Sequence, residues 1–428
     1  MNLSIQNKTK ILTALLLTVI MLLFVACKKD EPDVPPPPKP LPKIYINTEN
    51  GLDPDSRENY LQATFSMTDA ENFDMEETSM RIRGRGNTTW MAPKKPWRLN
   101  FPTPTSLFGL KPARNWLMLA LHFDETYLGN AVAFELGRRL EMPFTNNSFF
   151  VELYLNGDFR GVYQVTEHLK SNVGDALSSG DILMELDDHL DEVYQFESNV
   201  IQLPVMVQRP ESQDALDRAK ILWDSVEKLL YAPVYANTPV VLDSDWRKLL
   251  DVKSLMQLLL VKEFLDVWTL FVPNSFWVRY VAADGKIHFG PGWDFDQGGF
   301  NAEGISGKKE FAYSETRYSL LDRDGLYFWY YAPGEPWIIH GAKFILRFFD
   351  DPTFVAEYKQ FCDSIIGTGK LNMDRFVDSL GTVLRPSVEK DRQRWGLIGQ
   401  GDYGTNVIPS LKQYFRDRIT VIKNYANQ

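Results

Sequence analysis

Residues 149–169 read FFVELYLNGDFRGVYQVTEHL and carry a strong local signal of the fold. Asn156-Gly157 is a favoured pair for the tight turn of a β-hairpin, because both residues adopt positive φ readily. Segments typical of β-strands precede this hairpin, among them residues 43–51 and 60–69. We therefore predict a β-rich first part, with one helix at residues 125–140, that ends near residue 170.

The second part of the chain is dominated by apolar residues at helical spacing. Residues 213–231 and 251–268 are long segments of this kind, and Asp251 is a plausible N-cap of the latter. Two strands are predicted at residues 275–282 and 286–295, on either side of an Ala-Asp-Gly turn. Together with the first part, these elements predict an α+β protein.

Length and charge narrow the class of protein. The chain has 428 residues, 44% of them hydrophobic, so it can bury a sizeable core. Its formal net charge of −10 argues against a general affinity for nucleic acid, since phosphates attract a basic surface.

Residues 1–26 have the layout of a bacterial lipoprotein signal peptide. Lys8 and Lys10 precede an apolar run that ends in FVAC, which is similar to a lipobox whose lipid-modified residue is Cys27. The alternative is a transmembrane anchor, but the apolar run is short for a span. Residues 27–42 then form a charged and proline-rich tether, which favours extended polyproline-II geometry.

These features predict a protein held at the bacterial cell envelope, at the outer membrane, by the lipid on Cys27. The acidic KDEPD beside this cysteine resembles the surface-export signals of Bacteroidetes lipoproteins, which implies exposure at the cell surface. The second cysteine, Cys362, lies in an apolar helical pattern and is interpreted as a packed core residue rather than a nucleophile.

A basic, glycine-rich stretch is the first candidate for chemistry. RGRGNTTW at residues 83–90 precedes PKKPWRLNF at residues 93–101. Glycines let backbone N–H groups approach an anion and lysine pairs with phosphate, so Arg85, Asn87, Lys94 and Lys95 are candidate phosphate-binding residues. The G-K-[ST] ending of a Walker A loop is missing. The alternative is a β-turn followed by a solvated basic strand.

Two acidic segments supply the other candidates. Asp266 ends a predicted helix and Asn274 begins the next strand, the order in which kinases place a catalytic base and a metal ligand. GWDFDQGG adds Asp294 and Asp296, whose hard oxygens suit Mg²⁺ or Mn²⁺ better than zinc. The alternatives are a solvated helix end and an acidic turn. The five histidines lack ligand spacing, and no G-x-S-x-G supports a serine hydrolase.

Taken in order, these motifs identify a resemblance. The chain resembles the spore coat protein H (CotH) family of atypical, secretory-pathway-like protein kinases. The motifs that carry it, over residues 44–425, are RGRGNTTW…PKKPWRLNF, LGNAVAFELGRRL, VELYLNGDFRGVYQVTEHL, DILMELDD, PNSFWVRY…GKIHFGPGWDFD and DDPTF.

The resemblance implies a bilobal, atypical protein-kinase-like fold. Residues 43–170 would form a β-rich N-lobe, and residues 171–428 a mainly helical C-lobe with the metal-binding loop. It also implies that the protein binds ATP with Mg or Mn and transfers the γ-phosphate to hydroxyls of a protein substrate at the cell envelope.

Site roles follow from the same resemblance. Asp294 corresponds to the metal-binding Asp of the kinase D-F-G motif, helped by Asp296, and Asn274 to the second metal ligand. Lys94 or Lys95 would reach the ATP phosphates. Glu167 matches an acidic residue near the lobe connection. The interpretation expects Asp294, Asn274 and one of the two lysines to converge on one cleft.

The sequence departs from the family pattern in two places. Thr269 stands where the family has an Asp five residues before the Asn, so either Asp266 serves as the base or the base is absent. Gly129 stands where a basic residue is usual. Three possibilities stay open: an active kinase, a nucleotide-binding pseudokinase, and a non-catalytic surface-binding or structural lipoprotein.

Overall fold

The computed structural model describes residues 39–187, 189–231, 244–267, 276–296, 344–396 and 401–428. Residues from Pro40 to Gln428 form one compact unit. The predicted signal peptide, Cys27, most of the tether, Thr269 and Asn274 lie outside the described residues.

A closed barrel of seven strands occupies the first part of the chain, in the order β1-β2-β3-β4-β5-β7-β6. The strands are β1 Lys43–Thr48, β2 Leu61–Thr68, β3 Met75–Gly84, β4 Trp97–Thr105, β5 Ala113–Leu119, β6 Ser148–Leu155 and β7 Asp158–Glu167. The predicted hairpin joins β6 to β7, with Asn156 at φ 53° and Gly157 at φ 78°. A parallel pairing of β1 with β6 closes the barrel.

A second, antiparallel sheet of five strands follows, in the order β12-β11-β8-β10-β9. Its strands are β8 Ile182–Leu186, β9 Gln195–Glu197, β10 Pro204–Arg209, β11 Phe276–Val281 and β12 Lys286–Gly292. The sequence predicted only the β11–β12 pair. The short strands β8 and β10 are almost wholly apolar because both of their faces are buried, so they lack the alternation that marks a half-exposed strand.

The helices pack against both the barrel and the second sheet. They are α1 Thr88–Met91, α2 Gly129–Arg139, α3 Leu169–Asn172, α4 Gln213–Leu230, α5 Val252–Leu265, α6 Pro352–Gly367, α7 Asp374–Trp395 and α8 Ile408–Ala426. Asp251 caps α5 as predicted, because its side chain accepts a hydrogen bond from Ser254 N at 2.7 Å. Within the described ranges, no helix is both long and apolar enough to cross a membrane.

Two apolar cores hold these elements. One fills the barrel and includes Phe65, Trp116 and Val151. The other joins the second sheet to the helices and includes Trp223, Leu259 and Cys362. The mixture of sheets and helices confirms the predicted α+β class. The kinase-like arrangement of two lobes stays a prediction.

Candidate functional site

The acidic loop that contains Asp294 begins where β12 ends. Asp294 has a left-handed backbone, with φ at 61°, and the neighbouring residues fix its position. Phe295 N donates a hydrogen bond to Asn130 Oδ1 on α2 at 3.0 Å. The ring of Phe134, also on α2, packs on Trp293 and Phe295. The loop is therefore attached to the start of α2.

Two basic side chains affect the pKa of Asp294. Burial raises the pKa of Asp294, and the charges of Arg85 and Lys262 oppose that rise. The guanidinium of Arg85 lies 5.8 Å from the Trp293 ring. Lys262, on α5, is fully buried, and burial lowers its pKa to about 7 although Asp294 opposes the shift. The structure thus brings Arg85 and Asp294, both singled out from the sequence, to one place.

Further carboxylates crowd the same region. Burial, followed by the charge of Asp294, raises the pKa of Asp296 to about 7. Burial also raises the pKa of Glu185 on β8, with added repulsion from Asp187 and Asp294. Glu185 Oε2 accepts a hydrogen bond from Gln208 Nε2 on β10 at 2.7 Å. Asp294, Asp296 and Glu185 thus form an acidic cluster beside Arg85 and Lys262.

The donor set suits a hard divalent cation. Asp294 and Asp296 offer carboxylate oxygens, and their raised pKa values mark a place where added positive charge is favourable. Across the described residues, no three His, Cys, Asp or Glu side chains form a group able to hold a metal ion. A metal ion at this loop would be coordinated by the carboxylates of Asp294 and Asp296 and by oxygens of water or of a bound phosphate. Mg²⁺ is usually coordinated in this way in phosphate-binding sites.

The glycine-rich loop approaches the cluster through a side chain. Gly84 N donates to Ser56 O at 2.8 Å and Arg85 N donates to Pro96 O at 3.2 Å, so these two amides are already used. Asn87 is exposed, and its Oδ1 accepts from Arg57 Nη1 at 2.9 Å. Of the predicted anion-binding groups in this loop, the Arg85 guanidinium is the one beside the carboxylates.

The two predicted lysines make contacts elsewhere. Lys94 is 1% exposed, and its Nζ donates to Val162 O at 2.6 Å and forms an ion pair with Asp391 on α7. Lys95 Nζ donates to Trp90 O at 2.6 Å and lies 5.0 Å from the Trp90 ring centre. The convergence expected from the sequence required one of these ammonium groups to lie near Asp294. The structure brings neither of them there.

Glu167 and Asp266 also have local partners. Glu167 is the last residue of β7, and its Oε2 accepts from Asn147 N at 2.7 Å. Asp266 is the fully buried C-cap of α5, with φ at 50° and a carboxylate oxygen 4.0 Å from Arg418 Nη1. Arg418 also pairs with Glu263. The proposed roles of Glu167 in cofactor binding and of Asp266 as base stay predictions.

Sequence reasoning missed Lys262 and Glu185. Both stand inside apolar runs, LLLVKEFL and ILMEL, where a charged residue is unusual unless it is paired or functional. Asp124 was missed as well. It accepts hydrogen bonds from Thr126 N at 2.9 Å and Gly129 N at 2.7 Å, and burial raises its pKa to about 6. Its charge contributes to the raised pKa of Asp296.

Comparison with known proteins and protein families identifies the family of this chain. A search of the curated proteins found no match. The family model described as CotH kinase protein matches residues 81–428, which include the glycine-rich loop, the acidic loop and most of the elements described above. The resemblance inferred from the motifs is thereby confirmed, and the chain belongs to the CotH kinase protein family.

Proposed function

We propose that this CotH-family protein is a metal-dependent kinase that transfers the γ-phosphate of ATP to hydroxyl groups of proteins. The observation that carries the proposal is the meeting of Arg85, Lys262, Asp294 and Asp296 at one place, where Lys262 is buried and the other three are half-buried. Phosphoryl transfer depends chiefly on positioning and charge neutralisation, and this cluster contains charged groups of both signs.

Each residue has a definite task in the proposal. Asp294 and Asp296, with Asn274, would hold Mg²⁺ or Mn²⁺, which when bound neutralises charge on the phosphates. Arg85 would contact a phosphate oxygen, since a guanidinium makes strong charge-assisted hydrogen bonds to phosphate. The charge of Lys262 would oppose the burial-driven rise in the pKa of Asp294 and so favour its ionised form.

Binding and transfer can be measured separately. The full-length chain, purified in detergent, is expected to bind ATP only when Mg²⁺ or Mn²⁺ is present, and Asp294→Ala is expected to abolish that binding. Asp214→Asn, a change at an exposed carboxylate on α4, serves as the control. Unchanged ATP affinity in Asp294→Ala would refute the metal role. Transfer is followed by intact-protein mass after incubation with ATP and a protein acceptor.

A nucleotide-binding pseudokinase is the second candidate. The position of Asp266 favours it, because a fully buried carboxylate beside Arg418 is poorly placed to accept a proton from an incoming hydroxyl. If Asp266 is the base, Asp266→Asn lowers transfer about 10²-fold or more while ATP affinity is kept. ATP binding without any transfer by the unaltered protein would favour the pseudokinase.

The place of action is part of the proposal. We propose that a lipid on Cys27 holds the protein at the outer membrane of a bacterial cell envelope, facing the surface, where it meets its protein substrate. The FVAC motif and the proline-rich residues that follow support this. Metabolic labelling with an alkyne fatty acid is expected to mark the unaltered protein and to leave Cys27→Ser unlabelled.

A further inference from the structure

A cavity of about 450 Å³ lies between one end of the barrel and the end of α7. Its volume falls within the range of small-molecule sites. Its lining includes neither Asp294 nor any of the other charged residues described around that carboxylate. Aromatic side chains and charged groups share the lining, chiefly Trp90, Trp97, Trp395, Tyr163, Asp53 and Arg160.

The aromatic walls are held rigidly. Trp90 and Trp97 meet edge to face, with ring centres 6.0 Å apart. Trp395 Nε1 donates to Arg160 O at 3.0 Å, which ties the end of α7 to β7. The Tyr163 hydroxyl donates to Lys95 O at 2.9 Å. A rigid aromatic wall binds a ligand without the entropy cost of ordering side chains.

The polar rim is equally fixed. Arg160 Nη2 donates to both carboxylate oxygens of Asp53, at 2.8 Å and 2.6 Å. Asp55 lines the same cavity. Carboxylates accept hydrogen bonds but cannot donate them, so a ligand at this rim must carry donors.

We propose that this cavity binds a neutral saccharide. A pyranose ring has a face of C–H groups that packs on an aromatic ring, whose face is electron-rich. Its hydroxyl groups can donate to Asp55 and to the lone pairs of Asp53 that Arg160 leaves free. The proposal is independent of the kinase activity proposed above, since it uses none of the same residues.

Other ligand classes fit the lining less well. Asp53 and Asp55 are balanced by Arg160 and Lys95 in the same lining, so the cavity has no net positive charge to attract an anion. A cation would compete with Lys95, which lies 5.0 Å from the Trp90 ring centre, and with the Arg394 guanidinium, 5.2 Å from Trp395. A proline-rich peptide packs on aromatic rings, but its carbonyl groups and missing N–H donors do not match carboxylates.

The test is isothermal titration calorimetry, in which oligosaccharides are added to the full-length chain in a detergent without a sugar headgroup. The probes are hexamers of maltose-, cellulose-, xylan-, mannan- and chitin-type sugars, each up to about 10 mM. At least one is expected to bind. Trp395→Ala and Asp53→Asn should each weaken that binding about tenfold or more, as expected for a lost stacking partner or hydrogen bond.

Matched controls protect the result against unfolding. Trp395→Phe keeps a ring and should retain most of the affinity, while Phe73→Ala and Asp214→Asn alter exposed residues outside the lining and should not change it. Absence of binding by every hexamer would overturn the proposal, as would unchanged affinity in both Trp395→Ala and Asp53→Asn. A peptide with the sequence of residues 35–42, PPPPKPLP, tests the proline-rich alternative. If this peptide binds and no sugar does, the cavity is a peptide site and the proposal is overturned.

Discussion

Lys94 in the barrel region and Asp391 on α7 form an ion pair that is almost completely buried, although 297 positions separate them in the sequence. Asp391 Oδ2 also accepts a hydrogen bond from Val162 N at 2.7 Å. The rings of Tyr127 and Tyr163 flank the ammonium group, at 5.5 Å and 4.9 Å from Nζ to ring centre. The pair therefore joins the barrel to the helical region.

Breaking this pair on one side should be costly. Lys94→Met leaves the Asp391 carboxylate buried without its cation, and we expect the free energy of unfolding to fall by about 3–5 kcal/mol. Arg416→Met removes the exposed partner of Asp374, a pair that solvent screens, and should cost much less. Urea denaturation measures both. Equal losses in the two variants would contradict the buried pair's role.

Restoring neutrality should recover part of that loss. In Lys94→Met combined with Asp391→Leu, no charge is left buried alone, so the double variant should be more stable than the sum of the two single changes predicts. Strict additivity would mean that the two side chains act independently.

Cys362 should behave as an unreactive thiol. Burial raises the pKa of this thiol to about 12, so hardly any thiolate exists at about pH 8. In Cys27→Ser, where Cys362 is the remaining cysteine, a thiol-specific chromogenic reagent should react only after unfolding. Because the folded pKa is raised, the stabilisation is present below the ordinary thiol pKa and is lost as pH rises towards 12. Rapid reaction of the folded protein would refute this.

Gly84 should not accept a side chain. A Cβ atom there would lie 2.2 Å from the Trp90 ring, so Gly84→Ala must displace a wall of the proposed saccharide cavity. We expect a loss of about 1–3 kcal/mol in unfolding free energy. Gly367→Ala, at the end of α6 with open space around it, is the matched control and should be neutral or slightly stabilising. Equal stability of the two variants would show that Trp90 moves freely.

Arg85 should matter for nucleotide rather than for the fold. Arg85→Ala removes the guanidinium beside Asp294, and we expect the affinity for ATP with Mg²⁺ to fall about tenfold or more. Arg85→Lys keeps the charge but not the two-pronged geometry of the guanidinium. Its affinity for ATP should therefore lie between those of the unaltered protein and of Arg85→Ala. Calorimetry gives the affinities and thermal unfolding checks the fold. Full affinity in Arg85→Ala would remove this residue from the proposed site.

Local signals in the sequence predicted the local structure well. Asn156-Gly157 forms the predicted turn and Asp251 the predicted cap, because both depend on neighbouring residues alone. The sheet partners of β8 were not predictable in this way. β8 pairs with β10 and with the distant β11, and the register of such pairings is set by tertiary packing.

The candidate site shows the same limit. The spacing of motifs indicated that the glycine-rich loop and Asp294 belong together, and Arg85 does lie near that carboxylate. Spacing could not tell which basic side chain faces the loop, because neighbouring residues of an extended segment point in different directions. Lys94 meets Asp391 and Lys95 meets Trp90, contacts with partners that only the folded chain reveals.

The closure of the barrel has a mechanical consequence. β1 is hydrogen-bonded to β2 on one side and to β6 on the other, and Glu152 N donates to Pro42 O at 2.9 Å just before the strand. A pull on the chain ahead of Lys43 acts along β1, so it loads both ladders of hydrogen bonds in shear at once. Separation then requires many bonds to break together rather than one after another. The first strand is therefore a firm point of attachment for whatever the preceding residues are tied to.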